Sequence, residues 1–334
     1  MKIRISKKIV GEDSPVFIIA EAGLNHNGDI NIAKKLINTA QKCGADAIKF
    51  QTFKTENFIA KKSDYFKLFK KLELIDSEFT ELSKYAKSKK IIFLSTPFSN
   101  DSVDLLSKLN VPAFKIASGD LTNLPLIKYA SSKMKPMIIS TGMSNMNEIS
   151  DALKTIKSTK NKKIMIMHSI SSYPAPTEEV NLSSINQLQK KFPYPIGFSD
   201  NGDNELVSFA AVARGAKLIE KHFTLDKKMS GPDHSISSNP KELKNLITNI
   251  RIVEKLIGSG IKSCQPSEMN TKTLARRSVT ASIPIPKGVK LTLDMLSIKR
   301  PATGIEPKFF NKILGKKTTR KISMDESIRW KDIR

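Results

Sequence analysis

Cysteine, tryptophan and histidine are scarce in this chain of 334 residues, with two, one and four copies respectively. Cys43 and Cys264 lie far apart and lack metal-ligand spacing, so neither a disulfide framework nor a zinc site is expected. Long apolar runs are missing as well. Nothing approaches the roughly 18 residues of a membrane span, and the start, Met1-Lys2-Ile3-Arg4-Ile5-Ser6, alternates like a strand instead of showing the apolar centre of a signal peptide. A soluble, cytoplasmic protein with no membrane partner is expected. Acidic residues are few: 32 Asp and Glu face 56 Lys and Arg, a formal net charge of +24. A nucleic-acid binder would gather that charge into a patch or stripe. Here lysines recur along the polar side of nearly every helical segment, as in Ile32-Ala33-Lys34-Lys35-Leu36-Ile37. A lysine-rich solvated surface without a nucleic-acid partner is therefore the favoured reading, and its field would help to draw in a small anion.

What the chain does contain is a series of eight short apolar runs, each ending on a polar side chain. The ends are Glu21, Lys49 with Gln51, Thr96, Lys115 with Ser118, Ser140, His168 with Ser171, Ser199 with Asp200, and Glu220 with His222. Helical patterns separate the runs, as in the one from Ile32 that stops at Gly44. Strand and helix in alternation predict an α/β fold, a TIM (β/α)8 barrel, whose strand ends converge on one mouth. The barrel is expected over 1–258, with residues 1–15 forming a hairpin under its floor and turning through Gly11-Glu12-Asp13-Ser14-Pro15. Composition then shifts to Gly, Ser, Lys, Gln and Thr, which reads as a linker over 259–275. Beyond it, 276–334 has short alternating runs broken by Pro284, Pro286, Gly288, Pro301, Gly304 and Pro307, so a small turn-rich β domain is expected.

Lys49 and Lys115 sit among small or apolar neighbours on the inward face of their strands. A buried ammonium is costly unless paired, which leaves two readings: an ion pair with Glu220 or Asp120 in the lumen, or a clamp for a phosphate and a carboxylate. The hydroxyls of Thr96, Ser118, Ser140, Ser171 and Ser199 favour the clamp. Glu21, at the end of an apolar strand, is the candidate general acid or base, because a half-desolvated carboxyl has a raised pKa; a salt bridge to a lumen lysine is the alternative. His222 suits either packing or metal ligation, while His26 and His234 read as exposed loop residues.

Ala20-Glu21-Ala22-Gly23-Leu24-Asn25-His26-Asn27-Gly28-Asp29, then Lys49-Phe50-Gln51-Thr52, Ser95-Thr96-Pro97-Phe98, Lys115-Ile116-Ala117-Ser118-Gly119, Ser140-Thr141-Gly142-Met143, Tyr173-Pro174, Ser199-Asp200, His222-Phe223 and Gly231-Pro232-Asp233-His234 together resemble sialic acid synthases of the NeuB type. Arg276-Arg277-Ser278 and Lys299-Arg300-Pro301, followed by Gly304-Ile305, resemble their C-terminal antifreeze-like (SAF) domain. The resemblance implies condensation of phosphoenolpyruvate with an open-chain N-acetylated mannose-type sugar to a nine-carbon 2-keto acid and phosphate. It implies that Lys49, Thr96, Lys115, Ser118, Ser140, Ser171 and Ser199 hold phosphoenolpyruvate. Glu21, Gln51, Asp120, Tyr173 and Asp233 would hold the sugar and handle protons. Arg300 would reach the acetamido group across a domain-swapped homodimer.

Four features depart from the family's pattern, one being Ala302 in place of the glycine after Arg300-Pro301. A divalent metal, manganese or magnesium, would be held there by two histidines; His222 is one, and Asn201 stands for the other, an uncharged and weaker donor. Both a loosely held metal and a metal-free mechanism follow. Asp120 replaces a glutamate, and the loop 55–72 is short. The acceptor is accordingly N-acetylmannosamine, the 2,4-diacetamido trideoxy sugar leading to legionaminate, or a pseudaminate-type relative, and a catalytically inactive carbohydrate-binding protein is the alternative from another class.

Overall fold

The computed structural model describes all residues from Met1 to Arg334, in two compact units, Met1–Gly258 and Ser259–Arg334. The first unit opens with a hairpin, β1 (Lys2–Ile5) and β2 (Lys8–Gly11). Eight parallel strands follow: β3 (Phe17–Gly23), β4 (Ala47–Thr52), β5 (Ile92–Pro97), β6 (Phe114–Ile116), β7 (Met137–Ser140), β8 (Ile164–Ser169), β9 (Ile196–Asp200) and β10 (Leu218–His222). The helices between them are α1 (Ile30–Cys43), the short α2 (Thr55–Phe58) and α3 (Phe66–Leu72), α4 (Asp76–Ser88), α5 (Asn100–Lys108), α6 (Leu124–Ser132), α7 (Met146–Ser158), α8 (Ser183–Lys191), α9 (Leu206–Ala213) and α10 (Pro240–Ile257). β10 pairs with both β9 and β3, which wraps the sheet on itself. Only the seam between β5 and β6 lacks a hydrogen-bonded ladder, leaving a barrel that is nearly closed.

Side chains alternate along each strand, and that alternation divides the unit into two cores. Outward residues such as Ile18, Ile48, Phe93, Ile139, Ile166 and Ile219 meet the apolar stripes of the helices. Inward residues Phe17, Ile19, Ala47, Leu94, Ala113, Ile138, Met165, Met167 and Leu218 fill the lumen together with Ile3, Ile5 and Val10 of the hairpin. The hairpin therefore plugs the barrel from below, as expected. Its tight turn is at Ser6-Lys7 between the two strands, not at 11–15, because both strands lie before Gly11 and the latter stretch leads into β3.

Helix ends follow the local chemistry. Asp29 accepts the Asn31 N–H at the start of α1, and Gly44 ends it in a left-handed conformation with φ of 94°. The expected loop 55–72 is largely helical, with Phe53, Phe58, Phe69 and Phe98 packed edge-on or tilted against one another. An aromatic cluster of this kind binds short helices that propensity alone would leave marginal.

The second unit has its own core, built from Val279, Ala281, Ile285, Leu291, Leu296, Ile305, Ile313, Ile322, Ile328 and Ile333. Antiparallel β11 (Ser278–Ala281) and β12 (Leu296–Lys299) and several single bridges frame it, which is the small β-rich domain anticipated. The linker over 259–275 is a partial correction: Met269–Ala275 forms a helix, α11. It buries no residue, and one bond, from the Ala302 N–H to the Thr273 carbonyl, ties it to its own unit. No helix of the chain is long and apolar enough to cross a membrane.

Candidate active site

Each barrel strand changes character as it runs toward its C-terminal end. On β3 the inward series is Phe17, Ile19, Glu21; on β4 Ala47, Lys49, Gln51; on β8 Met165, Met167, Ser169; on β10 Leu218, Glu220, His222. Above the apolar floor, the polar members meet in a cavity of about 230 Å³. Glu21, Lys49, Gln51, Thr96, Lys115, Ser118, Ser140, Tyr173, Ser199, Asn201, His222 and Asp233, all anticipated from the sequence, line it.

Four buried charges form its base. Lys49 Nζ is 2.7 Å from Glu21 Oε2 and 3.6 Å from Glu220 Oε2, and Lys115 Nζ is 3.6 Å from Glu220 Oε1. Lys49 also donates to Thr96 Oγ1 at 3.1 Å, Lys115 to Ser140 Oγ at 2.5 Å, and Ser199 to Glu220 Oε1 at 3.0 Å. The ion-pair reading holds for Glu220, with Glu21 added, and the pairs lie among hydroxyls in an open cavity. Glu21 Oε2 and Glu220 Oε2 are close to a lysine but make no aligned hydrogen bond. These two oxygens are acceptors held by charge more than by an aligned donor.

Burial acts differently on these groups. It pushes the Glu21 carboxyl above the usual carboxylate range, and the nearby Lys49 only partly reverses that. Burial would lower Lys49, but Glu21 and Glu220 outweigh it and hold the ammonium above its ordinary value. Lys115 is pushed down to about 8 by burial, incompletely offset by Glu220. Burial would raise Glu220, yet Lys115 and Lys49 keep it below its ordinary value. The result is one carboxyl held above its ordinary value beside another held below it, the direction of separation that an acid and a charge-stabiliser need.

Glu21, Gln51 and Asp233 cluster around a bulge. The register between β3 and β4 shifts between Glu21 and Gly23, which re-aims the strand end. Gly23 has φ of 50°, and a Cβ there would lie 3.1 Å from Asp233 Oδ2 and 3.5 Å from both Gln51 Nε2 and Glu21 Oε1. Gln51 donates to Glu21 Oε1 at 3.3 Å. Tyr173 stands edge-on to His222, ring centres 5.6 Å apart. Leu24, Phe69 and Phe98 complete an apolar wall; sequence reading missed them because two of the three come from the helical cluster and its neighbour.

Some anticipated residues stand elsewhere. Ser169, not Ser171, is the β8 serine that lines the cavity. Alternation from Met165 and Met167 points to it, whereas His168 turns outward and bonds the Val180 carbonyl at 2.7 Å. Ser171 Oγ is buried without a partner, 2.3 Å from where a Cβ on Gly142 would be, while Gly142 N–H donates to Ser118 Oγ. Asp120 is half-buried outside the cavity lining, its Oδ1 accepting from Asn123, and burial raises its pKa. Arg300 follows β12 in the C-terminal unit and is exposed. His26 and His234 are buried, not exposed. His26 accepts the Gly28 N–H and is pushed down to about 4 by burial; His234 bonds Thr224 Oγ1 and Asn27 Oδ1. They build the 24–28 and 231–234 loops. Glu220, first weighed only as an ion-pair partner, is the hub of both lysines.

The donors available to a metal are specific. His222 Nδ1 is buried with no hydrogen-bond partner, 4.0 Å from Asp233 Oδ2. Asn201 commits its amide nitrogen to the Ile170 carbonyl at 2.8 Å and Ser169 Oγ at 3.2 Å, which leaves its amide oxygen as the free donor. No group of three or more His, Cys, Asp or Glu side chains has metal-binding geometry. One imidazole nitrogen and one amide oxygen suit a loosely held hard cation whose shell water completes.

Comparison with known proteins agrees with this geometry. The NeuB family model matches residues 36–262, and the SAF domain model matches 276–334. An uncharacterized protein of Methanocaldococcus jannaschii is 51% identical over 99% of this chain and 98% of its own. The N,N'-diacetyllegionaminic acid synthase of Campylobacter jejuni is 45% identical over 93% of this chain and 98% of its own. The crystal structure of the N-acetylneuraminic acid synthetase of Leptospira borgpetersenii, in complex with citrate, superposes with a TM-score of 0.78 at 37% identity, covering 81% of this chain and 95% of that one. With its barrel, its polar mouth and its C-terminal SAF domain, the chain belongs to the NeuB family.

Proposed function

We propose that the protein joins phosphoenolpyruvate to the open-chain aldehyde of 2,4-diacetamido-2,4,6-trideoxymannose, with water, and releases phosphate and a nine-carbon legionaminate-type 2-keto acid. The observation that carries this reading is the convergence of Lys49, Lys115, Glu21 and Glu220 with a ring of hydroxyls in one cavity at the barrel mouth. Two ammonium groups and the Thr96, Ser118, Ser140, Ser169 and Ser199 hydroxyls suit the phosphate and carboxylate of the enol, with Ser171 beside Ser118. Held so, carbon three of the enol lies ready to attack the aldehyde carbon. Glu21, its carboxyl raised by burial, gives its proton to the aldehyde oxygen. Positive charge then grows at carbon two, where the ionised Glu220 stabilises it. Water adds there and returns a proton to Glu21, and collapse of the tetrahedral intermediate forms the keto group and expels phosphate.

The acceptor follows from the apolar wall. Leu24, Phe69 and Phe98 suit the methyl end of a 6-deoxy sugar, and the cavity has no cation beyond Lys49 and Lys115 to receive a sugar phosphate. Gln51, Tyr173 and Asp233 would bind the sugar's polar groups, with Asp120 acting from outside the lining through water. A divalent cation, manganese or magnesium, would be held by His222 Nδ1 and the Asn201 amide oxygen and would polarise the aldehyde. The reading extends to a homodimer in which Arg300 of one copy meets the acetamido group of a sugar bound by the other.

The test is phosphate release from phosphoenolpyruvate with a sugar panel, with mass analysis of the product. Fastest release with the diacetamido trideoxy sugar is expected. A preference for N-acetylmannosamine, its 6-phosphate or a pseudaminate-type isomer overturns the acceptor; no release with any sugar and metal overturns the activity and leaves a carbohydrate-binding protein. Exhaustive chelation is expected to lower turnover and added manganese to restore it, whereas full turnover after chelation removes the metal from the scheme.

A further inference from the structure

Lys221 is the one residue of β10 whose charge faces away from the lumen. Leu218, Glu220 and His222 point inward, and Ile219, its neighbour on the outer face, packs in the layer between sheet and helices. The Lys221 side chain is only 3% exposed. An ammonium there costs several kcal/mol unless it is paired and fully hydrogen-bonded.

Its partner is Asp200, which is opposite Lys221 in the β9–β10 register and 1% exposed, with Nζ 3.1 Å from Oδ1. The pair does more than neutralise itself. Asp200 Oδ1 accepts the Gly202 N–H at 3.0 Å, and Lys221 donates to the Gly202 carbonyl, so both backbone groups of Gly202 are held by the same ion pair. Asp200 Oδ2 is in turn fixed by the Ser208 hydroxyl of α9 at 2.6 Å. A Cβ on Gly202 would lie 3.4 Å from Asp200 Oδ1 and 3.5 Å from the Ala175 carbonyl, ordinary van der Waals contact, so it is the hydrogen bonds that hold the turn.

Between the two fixed residues stands Asn201, facing the opposite way. Its side chain lines the cavity and bonds Ser169 and Ile170, and its carbonyl accepts the Ala175 N–H at 3.1 Å. The turn therefore ties the outer ion pair to the end of β8 and to the 170–175 segment that carries Ser171 and Tyr173. An apolar pair at 200 and 221 would fill the same space but leave the Gly202 N–H and carbonyl in a buried layer without partners.

We infer that Lys221 and Asp200 are positioning residues: the pair holds the Asn201 turn, and through it the Tyr173 segment, in register with the acceptor side of the cavity. The part that concerns the acceptor rests on the proposed function; the mechanical part does not.

Amide hydrogen exchange on the full chain tests the mechanical part without any substrate. In Lys221→Met and in the double variant Lys221→Met/Asp200→Leu, the amides of Gly202 and Ala175 are expected to exchange about tenfold faster or more, while those of β7 stay unchanged. Unchanged protection at Gly202 and Ala175 overturns the inference. Kinetics test the rest: kcat should fall about tenfold with the phosphoenolpyruvate KM within about twofold, and Lys221→Arg should recover most of the loss. The double variant, which removes the unpaired Asp200 that Lys221→Met leaves behind, should melt above that single variant but below the parent, because the Gly202 N–H and carbonyl lose their partners. Parent-like kcat in the double variant overturns a positioning role. Should the Met variants not fold, Ser208→Ala carries the test, with exchange at Gly202 expected to rise severalfold and no rise overturning the inference. A wild-type chain that releases no phosphate refutes the proposed activity alone, because the exchange result still stands.

Discussion

Lys49 and Lys115 share a cavity and a carboxylate, yet their surroundings drive them apart. Lys49 has Glu21 at 2.7 Å and Glu220 at 3.6 Å, while Lys115 has only Glu220, at 3.6 Å, and a like charge nearby. Burial, incompletely offset by Glu220 and reinforced by Lys49, pushes the second lysine down to about 8. An anionic substrate selects the ammonium form, so capture should be complete below that value and fail as pH rises through it. The expected outcome is a kcat/KM for phosphoenolpyruvate that falls about tenfold per pH unit above about 8. Lys115→Arg, which keeps its charge, should lose that limb; a flat profile in the wild type contradicts the assignment. Gly23 supports a second prediction. Its φ of 50° and the 3.1 Å approach to Asp233 admit no side chain without displacement. Gly23→Ala should cost about 1–2 kcal/mol of stability, and the KM for the sugar should rise more than that for phosphoenolpyruvate. Equal effects on both would place Gly23 in the scaffold only.

The hairpin β1–β2 is the element whose role is most separable from the chemistry. Ile3, Ile5 and Val10 enter the lumen from below and meet Phe17, Leu94 and Leu218, one layer beneath the charged groups. Ile5→Ala removes a fully buried side chain and should destabilise by about 2–5 kcal/mol. Steady-state constants of the folded fraction should remain within about twofold, measured well below the melting transition. A large change in kcat would mean that the floor transmits strain to the cavity. At this scale the sequence was legible where periodicity was strong. The eight strands and their polar ends stand close to their expected positions because a buried β-strand needs an unbroken apolar run. The run that the sequence reading closes on Ser171 presents Ser169 to the cavity instead, as the period-two pattern through Met165 and Met167 requires. The helices within 55–72 and at 269–275 were unreadable because the first depends on an aromatic cluster assembled from Phe53, Phe58, Phe69 and Phe98, and the second buries nothing that would imprint a stripe.

At the scale of the molecule, the net charge of +24 is spread over the whole chain, while the barrel's cavity holds two lysines against two glutamates at its base. Close pairing offsets most of the charge of that base, so long-range steering of an anion is expected to come mainly from the surrounding surface. Such steering acts on the association rate and is screened within about 10 Å at 0.1 M salt. The expected result is a kcat/KM for phosphoenolpyruvate that declines with added salt while kcat at saturation stays level. Salt-independent capture would mean that the surface lysines serve solubility alone.

Strand periodicity, the polar residue closing each apolar run and the shift in composition after Gly258 are local properties, and local steric and solvation rules suffice to read a barrel, a second domain and most of the cavity lining from them. Tertiary structure alone decided that Glu220 would stand between two lysines, that the apolar wall would be assembled from Leu24, Phe69 and Phe98, and that Lys221 and Asp200 together would hold the Gly202 carbonyl and N–H from behind the sheet. Each of these depends on distances between strands and helices remote in the chain. Register and burial set those distances, and no single segment encodes them.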